Sequence, residues 1–229
     1  MIRGIHLEPN SIRGATPVEQ SSVGHAITHS RPLRYKPAQV GNFEAYKVNG
    51  TPADCVALGC YQWEKVDLVL SGINLGSNLG DSMWHSGTLA AAKQASLLGI
   101  RGVALSVEGG YEEDDFKRLA PHADVVLELL LEHPDFRLLN VNFPVDPNGI
   151  RWTRQAVQRY DGTVVPAEDP HGRPIYWCTV TPLKQADEGT DRRAVDDGFI
   201  SITPLRLDLT DQAELLRLGG GETLVGKHG

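Results

Sequence analysis

Ser71-Gly-Ile-Asn-Leu-Gly-Ser-Asn-Leu-Gly80, which runs on to Ser86-Gly87-Thr88, decides the fold of this chain. Before it lies an apolar run of strand length with β-branched residues, Val66-Asp-Leu-Val-Leu70. After it comes Leu89-Ala-Ala-Ala-Lys-Gln-Ala-Ser-Leu-Leu98, rich in Ala and Leu and stopped by Gly99. The unit reads as a strand, a long loop of glycine and asparagine, and a helix opening on Ser-Gly-Thr. Gly72, Gly76, Gly80 and Gly87 allow sharp turns and close approach to a ligand. The free N–H groups at the start of the helix suit a phosphate. Asn74 and Asn78 add neutral oxygens and amides that can ligate a metal or hydrogen-bond an oxyanion. An ordinary α/β connection would use such glycines for its turns alone. Two asparagines four apart, followed by Ser-Gly-Thr at a helix start, point instead to a site.

The totals fit that unit into an ordinary globular chain. A length of 229 residues suits one large domain, or one domain with an extension, and 41% hydrophobic with 22% charged residues is a typical soluble composition. A net charge of −7 argues against a broad surface for a nucleic-acid duplex. It leaves room for one small nucleotide held by backbone amides and a metal. Cys55, Cys60 and Cys178 form no CxxC pair and no even framework, so they read as buried free thiols in a reducing compartment. No apolar run approaches the roughly 18 residues that span a bilayer, and no signal-peptide core opens the chain. The expectation is a cytoplasmic protein without a membrane partner.

Working outward, residues 1–14 show neither helical nor strand periodicity and read as an irregular leader. Ala15 to Thr28 reads as a polar loop able to place Ser21 and Ser22 near a site. Asn42 to Asn49 alternates as a short strand. Thr51-Pro52-Ala53-Asp54 then opens a helix to about Tyr61, with Thr51 as N-cap and Asp54 as a capping carboxylate. Ile100 to Val107 and Arg137 to Asn142 read as further buried strands. Between them a helix runs to about His133, broken or kinked at Pro121. Strand, helix, strand, helix, strand with short links indicates a parallel sheet, whose ligands bind beyond the carboxyl ends of the strands. After Pro147, Gly149 to Tyr160 and Arg173 to Val180 are β-rich and suggest a projecting hairpin or arm. Phe199 to Pro204 reads as a last strand and Asp211 to Leu218 as a short helix, before a glycine-rich tail expected to be disordered.

Five segments carry a resemblance: Pro17 to Thr28, Gly50 to Val56, Ser71 to Asp81, Ser86 to Thr88, and Gly189-Thr-Asp191 with Ser201 to Leu205. In order and spacing they resemble the SurE survival-protein family of metal-dependent 5′/3′-nucleotidases, also called acid phosphatases. The resemblance implies a three-layer, Rossmann-like α/β domain with a mostly parallel sheet. It also implies a C-terminal β-rich arm exchanged between subunits of a homodimer or homotetramer. On that pattern residues 15–148 form the nucleotidase core, 149–210 the arm and C-terminal strand, and 211–229 a short helix and tail. The substrate implied is a nucleoside monophosphate or another small phosphomonoester, and the cofactor Mg²⁺ or Mn²⁺. Carried over by motif, Ser21 and Asn74 ligate the metal, while Asn78, Ser86, Gly87 and Thr88 grip the phosphate, with Asn78 also serving the oxyanion.

One part of the family pattern is absent. The family begins with a strand ending in Asn-Asp-Asp-Gly, whose two aspartates complete the metal site; this chain has no Asp before Asp54. The expectation is that the first strand–helix–strand unit is missing, through a start codon placed too far downstream or a truncated gene. Metal binding and hydrolysis would then be impaired, because a hard dication draws most of its affinity from carboxylates. The alternative, a genuine variant that uses Glu8 or Glu19, is disfavoured because neither sits at a strand end. No Ser-His-Asp order and no cysteine elbow supports covalent catalysis. His25, His29 and His85, and Asp187, Glu188 and Asp191, read as loop, turn or surface residues, and Trp152, Tyr160, Tyr176 and Trp177 as arm packing. Two rivals remain: a non-catalytic homologue that only assembles, and a Rossmann dinucleotide enzyme. The second requires glycines spaced GxGxxG directly opening the helix, where this chain has GxxxGxxxG.

Overall fold

The computed structural model describes residues 2–5, 12–17, 23–40, 43–108, 113–157, 162–180 and 186–220. The first strands are β1 (Ile2–Ile5), β2 (Ile12–Pro17), β3 (Tyr35–Val40) and β4 (Phe43–Val48). Helix α1 (Pro52–Gln62) starts on the expected capping box. Asp54 N–H donates to Thr51 Oγ1 at 3.1 Å and Thr51 N–H to Asp54 Oδ2 at 2.8 Å. Then come β5 (Leu68–Leu75), a 3-10 turn (Gly80–Trp84), α2 (Gly87–Leu97) and β6 (Arg101–Val107). Helix α3 (Glu113–Glu132), β7 (Leu138–Phe143) and the short β8 (Ile150–Trp152) follow. The chain continues through β9 (Gly162–Glu168), β10 (Pro174–Val180), α4 (Asp191–Asp196), β11 (Ile200–Pro204) and α5 (Gln212–Arg217).

The main sheet has nine strands in the order β3-β4-β2-β1-β5-β6-β7-β11-β8, with parallel β5, β6 and β7 at its centre. Its two faces differ. On one, Leu70, Val103, Leu105, Leu139, Val141, Phe143, Ile200 and Ile202 bury against Leu119, Val126 and Leu130 of α3. On the other, α1 and α2 pack through Cys55, Val56, Ala91 and Ala95 against Val48 and Val69. Alanines on α2 let that helix lie close to the strands, where bulkier residues would hold it off. The result is the expected α/β fold, helix layers on both faces of a sheet.

Four details depart from the sequence reading. Residues in the presumed leader form strands: β1 pairs antiparallel with β5, from Ile2 opposite Ser71 to Ile5 opposite Leu68, and with β2. Backbone pairing covers the edge of β5, and a four-residue strand is too short to show periodicity. Second, α3 runs through Pro121 without ending, held by Val126 and Leu130 beneath it. Third, β8 joins the main sheet beside β11, and the separate hairpin pairs Gly162–Glu168 with Pro174–Val180. Its turn closes on Asp169, whose carboxylate accepts from the N–H groups of His171 at 2.8 Å and Arg173 at 3.0 Å. Fourth, only Cys55 of the three thiols is buried; Cys60 is half-buried and Cys178 exposed. Among the described residues no helix is long and apolar enough to cross a membrane. The end of the tail, 221–229, lies outside the described residues.

Candidate active site

Strand β5 continues past Leu70 into the stretch that reads from sequence as loop, as far as Leu75. It does so by a register shift against β6 between Ser71 and Asn74. Gly72 sits at that shift with φ +135°, and an added Cβ would lie 2.3 Å from Leu105 O. Only glycine permits so close an approach. Gly76 N–H then donates to Val107 O at 2.9 Å, fixing the start of the loop at the carboxyl end of β6. Asn74 turns its amide nitrogen onto Gly76 O at 2.7 Å, so its Oδ1 is the acceptor left to meet a ligand.

Beneath the loop lies a row of polar side chains. On β7 the residues alternate, Leu139, Val141 and Phe143 toward the α3 core, Asn140 and Asn142 toward the loop. Asn142 Oδ1 accepts Asn78 N–H at 2.7 Å, and Asn140 and Asn142 donate to Asn78 O at 2.7 and 3.2 Å. Asn78 itself donates through Nδ2 to Ser106 Oγ on β6 at 2.7 Å. Asn140, Asn142 and Ser106 are each 0% exposed. The row extends to β11, where Ser201 and Thr203 both hydrogen-bond Thr153 Oγ1, at 2.8 and 2.7 Å. Burying so many polar groups is tolerable only when they are paired; one atom, Asn140 Oδ1, has no partner. The sheet thus gives the loop backbone the hydrogen bonds that water would otherwise supply.

The loop's far end is held by Asp191. Its Oδ2 accepts Gly80 N–H at 2.8 Å, and its Oδ1 accepts the N–H groups of Ala156 at 3.0 Å and Arg192 at 2.7 Å. Asp191 is 0% exposed, which corrects its reading as a turn or surface group; Asp187 and Glu188 are exposed as expected. A Gly-Thr-Asp run hides this role, because the bonds it makes bridge residues 111 and 35 positions apart.

After the 3-10 turn, Ser86 caps α2, its Oγ accepting Leu89 N–H at 3.1 Å. Gly87 and Thr88 therefore occupy the first turn, where unpaired N–H groups and the positive helix end favour an anion. The segment 23–28 packs over this corner. Gly24 N–H donates to His85 O at 3.1 Å, and Thr51 Oγ1 to Ala26 O at 2.6 Å. Thr28 donates twice to Asp54, from N at 2.9 Å and from Oγ1 at 2.6 Å. Burial opposes the charge of Asp54, but the hydrogen bonds from Thr28 and Thr51 outweigh it and hold the carboxyl below its ordinary range. Ser21, the other expected metal ligand, lies outside the described residues.

The structure therefore gathers Asn74, Asn78, Ser86, Gly87 and Thr88 on one strand–loop–helix unit. Asn78 is a buried anchor of that loop. His25 is exposed and shares a 2.9 Å hydrogen bond with Gln94, and His29 is exposed. Trp152 stacks on His133 at 5.8 Å, while Tyr176 and Trp177 stand exposed on the hairpin; Tyr160 lies outside the described residues. Burial pushes the Cys55 thiol up to about 12 and raises that of Cys60, so neither presents a thiolate at neutral pH.

Among the described residues no three His, Cys, Asp or Glu side chains converge, and the first Asp of the chain, Asp54, is taken up by its cap. Asn74 offers one neutral oxygen. That donor set does not fit a hard dication by itself.

A core of parallel strands with helices on both faces and a glycine-rich loop at the carboxyl edge defines the class of open, doubly wound α/β proteins. The particular family follows from comparison. The model for "Survival protein SurE" matches residues 14–162. The 5′-nucleotidase SurE 1 of Thermus thermophilus is 46% identical over 212 residues, covering 90% of this chain and 84% of the relative. The 5′-nucleotidase SurE of Deinococcus radiodurans is 47% identical over 207 residues, covering 86% and 76%. The crystal structure of the SurE protein from Aquifex aeolicus superposes with a TM-score of 0.69 at 37% identity, covering 89% of this chain and 85% of that one. This chain belongs to the survival protein SurE family.

Proposed function

We propose that this protein hydrolyses nucleoside monophosphates, with the loop from Gly76 to Gly80 and the first turn of α2 at Ser86, Gly87 and Thr88 together as the seat of the phosphate. The observation that carries the proposal is the anchoring of that loop on Ser106, Asn140 and Asn142, which presents the first turn of α2 at the carboxyl end of the parallel strands. Similarity to relatives named 5′-nucleotidase supplies the substrate class.

In this reading the N–H groups of Gly87 and Thr88 hold phosphoryl oxygens, and the Ser86 hydroxyl, whose oxygen accepts from Leu89, turns its hydrogen outward. Asn78 spends one amide hydrogen on Ser106, and the second reaches toward the phosphoryl group. These fixed dipoles meet the charge that grows on the phosphoryl oxygens as the ester bond breaks. Burial, which raises the thiols of Cys55 and Cys60, disfavours either as a nucleophile. The family resemblance implies Mg²⁺ or Mn²⁺ beside Ser21 and Asn74; these two neutral oxygens alone would hold such an ion weakly, and an ion bound there would supply Lewis acidity. The acidic ligands such an ion needs are not found among the described residues, so hydrolysis by the 229-residue chain is expected to be slow. That shortfall favours a second reading, a family member that assembles without catalysing.

Assembly through the arm belongs to the same proposal. Val164, Val165, Tyr176 and Trp177 on the β9–β10 hairpin are exposed, and α5 exposes Leu215 and Leu216 with no residue buried. Such apolar surface fits a homodimer or homotetramer. Action in the cytoplasm agrees with three unpaired cysteines.

Phosphate release from 5′-AMP, measured with and without Mn²⁺, tests the function. Slow, Mn²⁺-stimulated release is expected, and Asn78→Ala should lower it roughly ten- to a thousandfold. Unchanged turnover in that variant would remove Asn78 from the site. AMP binding without release favours the assembling reading, and binding of NAD in place of AMP would refute both.

A further inference from the structure

The loop is held from below by the sheet, but its last residue is held from the side by a carboxylate that comes from the far end of the chain. Asp191 opens α4, yet that helix is already capped by Thr190, whose side chain accepts Arg193 N–H at 3.3 Å. The Asp191 carboxylate is therefore not needed as the cap. It is fully buried, and it is met by three backbone N–H groups from three different segments. Burying a charge in this way is costly, and amides that stay in place are what make it tolerable.

Two of those segments matter for function. Gly80 ends the phosphate-facing loop, and Ala156 lies in the connection from β8 toward the β9–β10 hairpin. The two touch directly as well. Gly80 adopts φ +56°, and a Cβ there would lie 2.6 Å from Ala156 O. Gln155 Nε2 reaches Gly80 O at 3.3 Å and Asp81 Oδ1 at 3.4 Å. The same knot is tied to α4 by Arg154 N–H to Gly189 O at 3.0 Å and Asp191 N–H to Arg154 O at 2.9 Å. A shift of the hairpin's root therefore moves Ala156, the carboxylate and Gly80 together.

We infer that Asp191 is a positioning residue, which sets the phosphate-facing loop through Gly80 and makes its geometry depend on the root of the hairpin at Gln155 and Ala156. The inference rests on the loop being the phosphate seat, as proposed above. Asp191 does not touch substrate; it acts through the Gly80 N–H.

Asp191→Asn in the full chain is the direct test. An amide keeps one oxygen for the Ala156 and Arg192 N–H groups but turns an NH₂ toward Gly80, setting donor against donor. Two readouts are taken: amide hydrogen exchange over 80–84, and affinity for inorganic phosphate. Exchange should quicken at Gly80, and phosphate affinity should fall roughly tenfold, the scale of one lost hydrogen bond. Val195→Ala, which loosens the same helix without touching the carboxylate, should change neither. Gly80→Ala pushes the loop off Ala156 from the other side and should reproduce the loss of affinity even if Asp191→Asn fails to fold. Faster exchange with unchanged phosphate affinity in Asp191→Asn would overturn the inference, as would equal losses in Val195→Ala. Wild-type protein that binds neither phosphate nor AMP would sink the nucleotidase reading instead. The exchange pattern alone would then uphold or overturn the anchoring of Gly80.

Discussion

Neighbouring residues of β7 do opposite work. Leu139, Val141 and Phe143 face α3 in an apolar layer, while Asn140 and Asn142 face the loop and hold Asn78. One face is close-packed and indifferent to direction; the other is a set of directed bonds to a single peptide unit. Hydrophobic burial scales with area and has no preferred angle, so the α3 face should carry stability. Hydrogen bonds add little net stability but fix position, so the loop face should carry placement. If the loop is the phosphate seat proposed above, stability and function should separate at adjacent residues of one strand.

The largest effect should fall on the apolar face. Phe143 is fully buried, and Phe143→Ala should cost about 3–5 kcal/mol in urea unfolding. A loss below that range would mean the α3 layer can collapse around the gap, and the comparison would weaken. Asn142→Leu should cost less, roughly 1–3 kcal/mol, mainly because Asn78 N–H loses its acceptor. A cost equal to that of Phe143→Ala would show that the polar row also carries stability.

A third prediction concerns pH at the corner where α1 begins. The Asp54 carboxyl is held below its ordinary range, so the folded state binds its proton less readily than the unfolded chain does. The stabilisation it gives is present above the unfolded value and is lost as pH falls through the folded one. Asp54→Asn should therefore lower stability at neutral pH and flatten the acid limb of the stability curve. An acid limb of unchanged slope would assign the shift to other carboxylates. The smallest effect is expected on the arm. Arg173 pairs with Asp169 at 2.7 Å on the exposed hairpin turn, and Arg173→Ala should leave the unfolding midpoint where it is.

These contrasts also show what sequence could reveal. The strand–loop–helix unit, the capping box of α1 and the strands around Ile100 to Asn142 were legible because periodicity, glycine and caps are local signals. The Leu-Asn-Val-Asn-Phe alternation was visible as a strand; that its asparagines support a loop was not, because their partner Asn78 lies over 60 positions away. Asp191 was hidden for the same reason. Strand β1 escaped notice because its place comes from pairing with the edge of β5, which no pattern inside four residues records. Ser21 was legible by resemblance and lies outside the described residues, so its place beside Asn74 stands as a proposal.

The central claim is that the polar face exists to place the phosphate loop. Isothermal titration of 5′-AMP in the presence of Mn²⁺, on Asn142→Leu and Phe143→Ala under conditions where both are folded, tests it most directly. The account predicts that Asn142→Leu weakens AMP binding by about tenfold or more, the worth of one or more lost hydrogen bonds. Phe143→Ala, the less stable of the two, should bind as the wild type does. Full affinity in Asn142→Leu, or affinity that falls in step with stability in both variants, would contradict it.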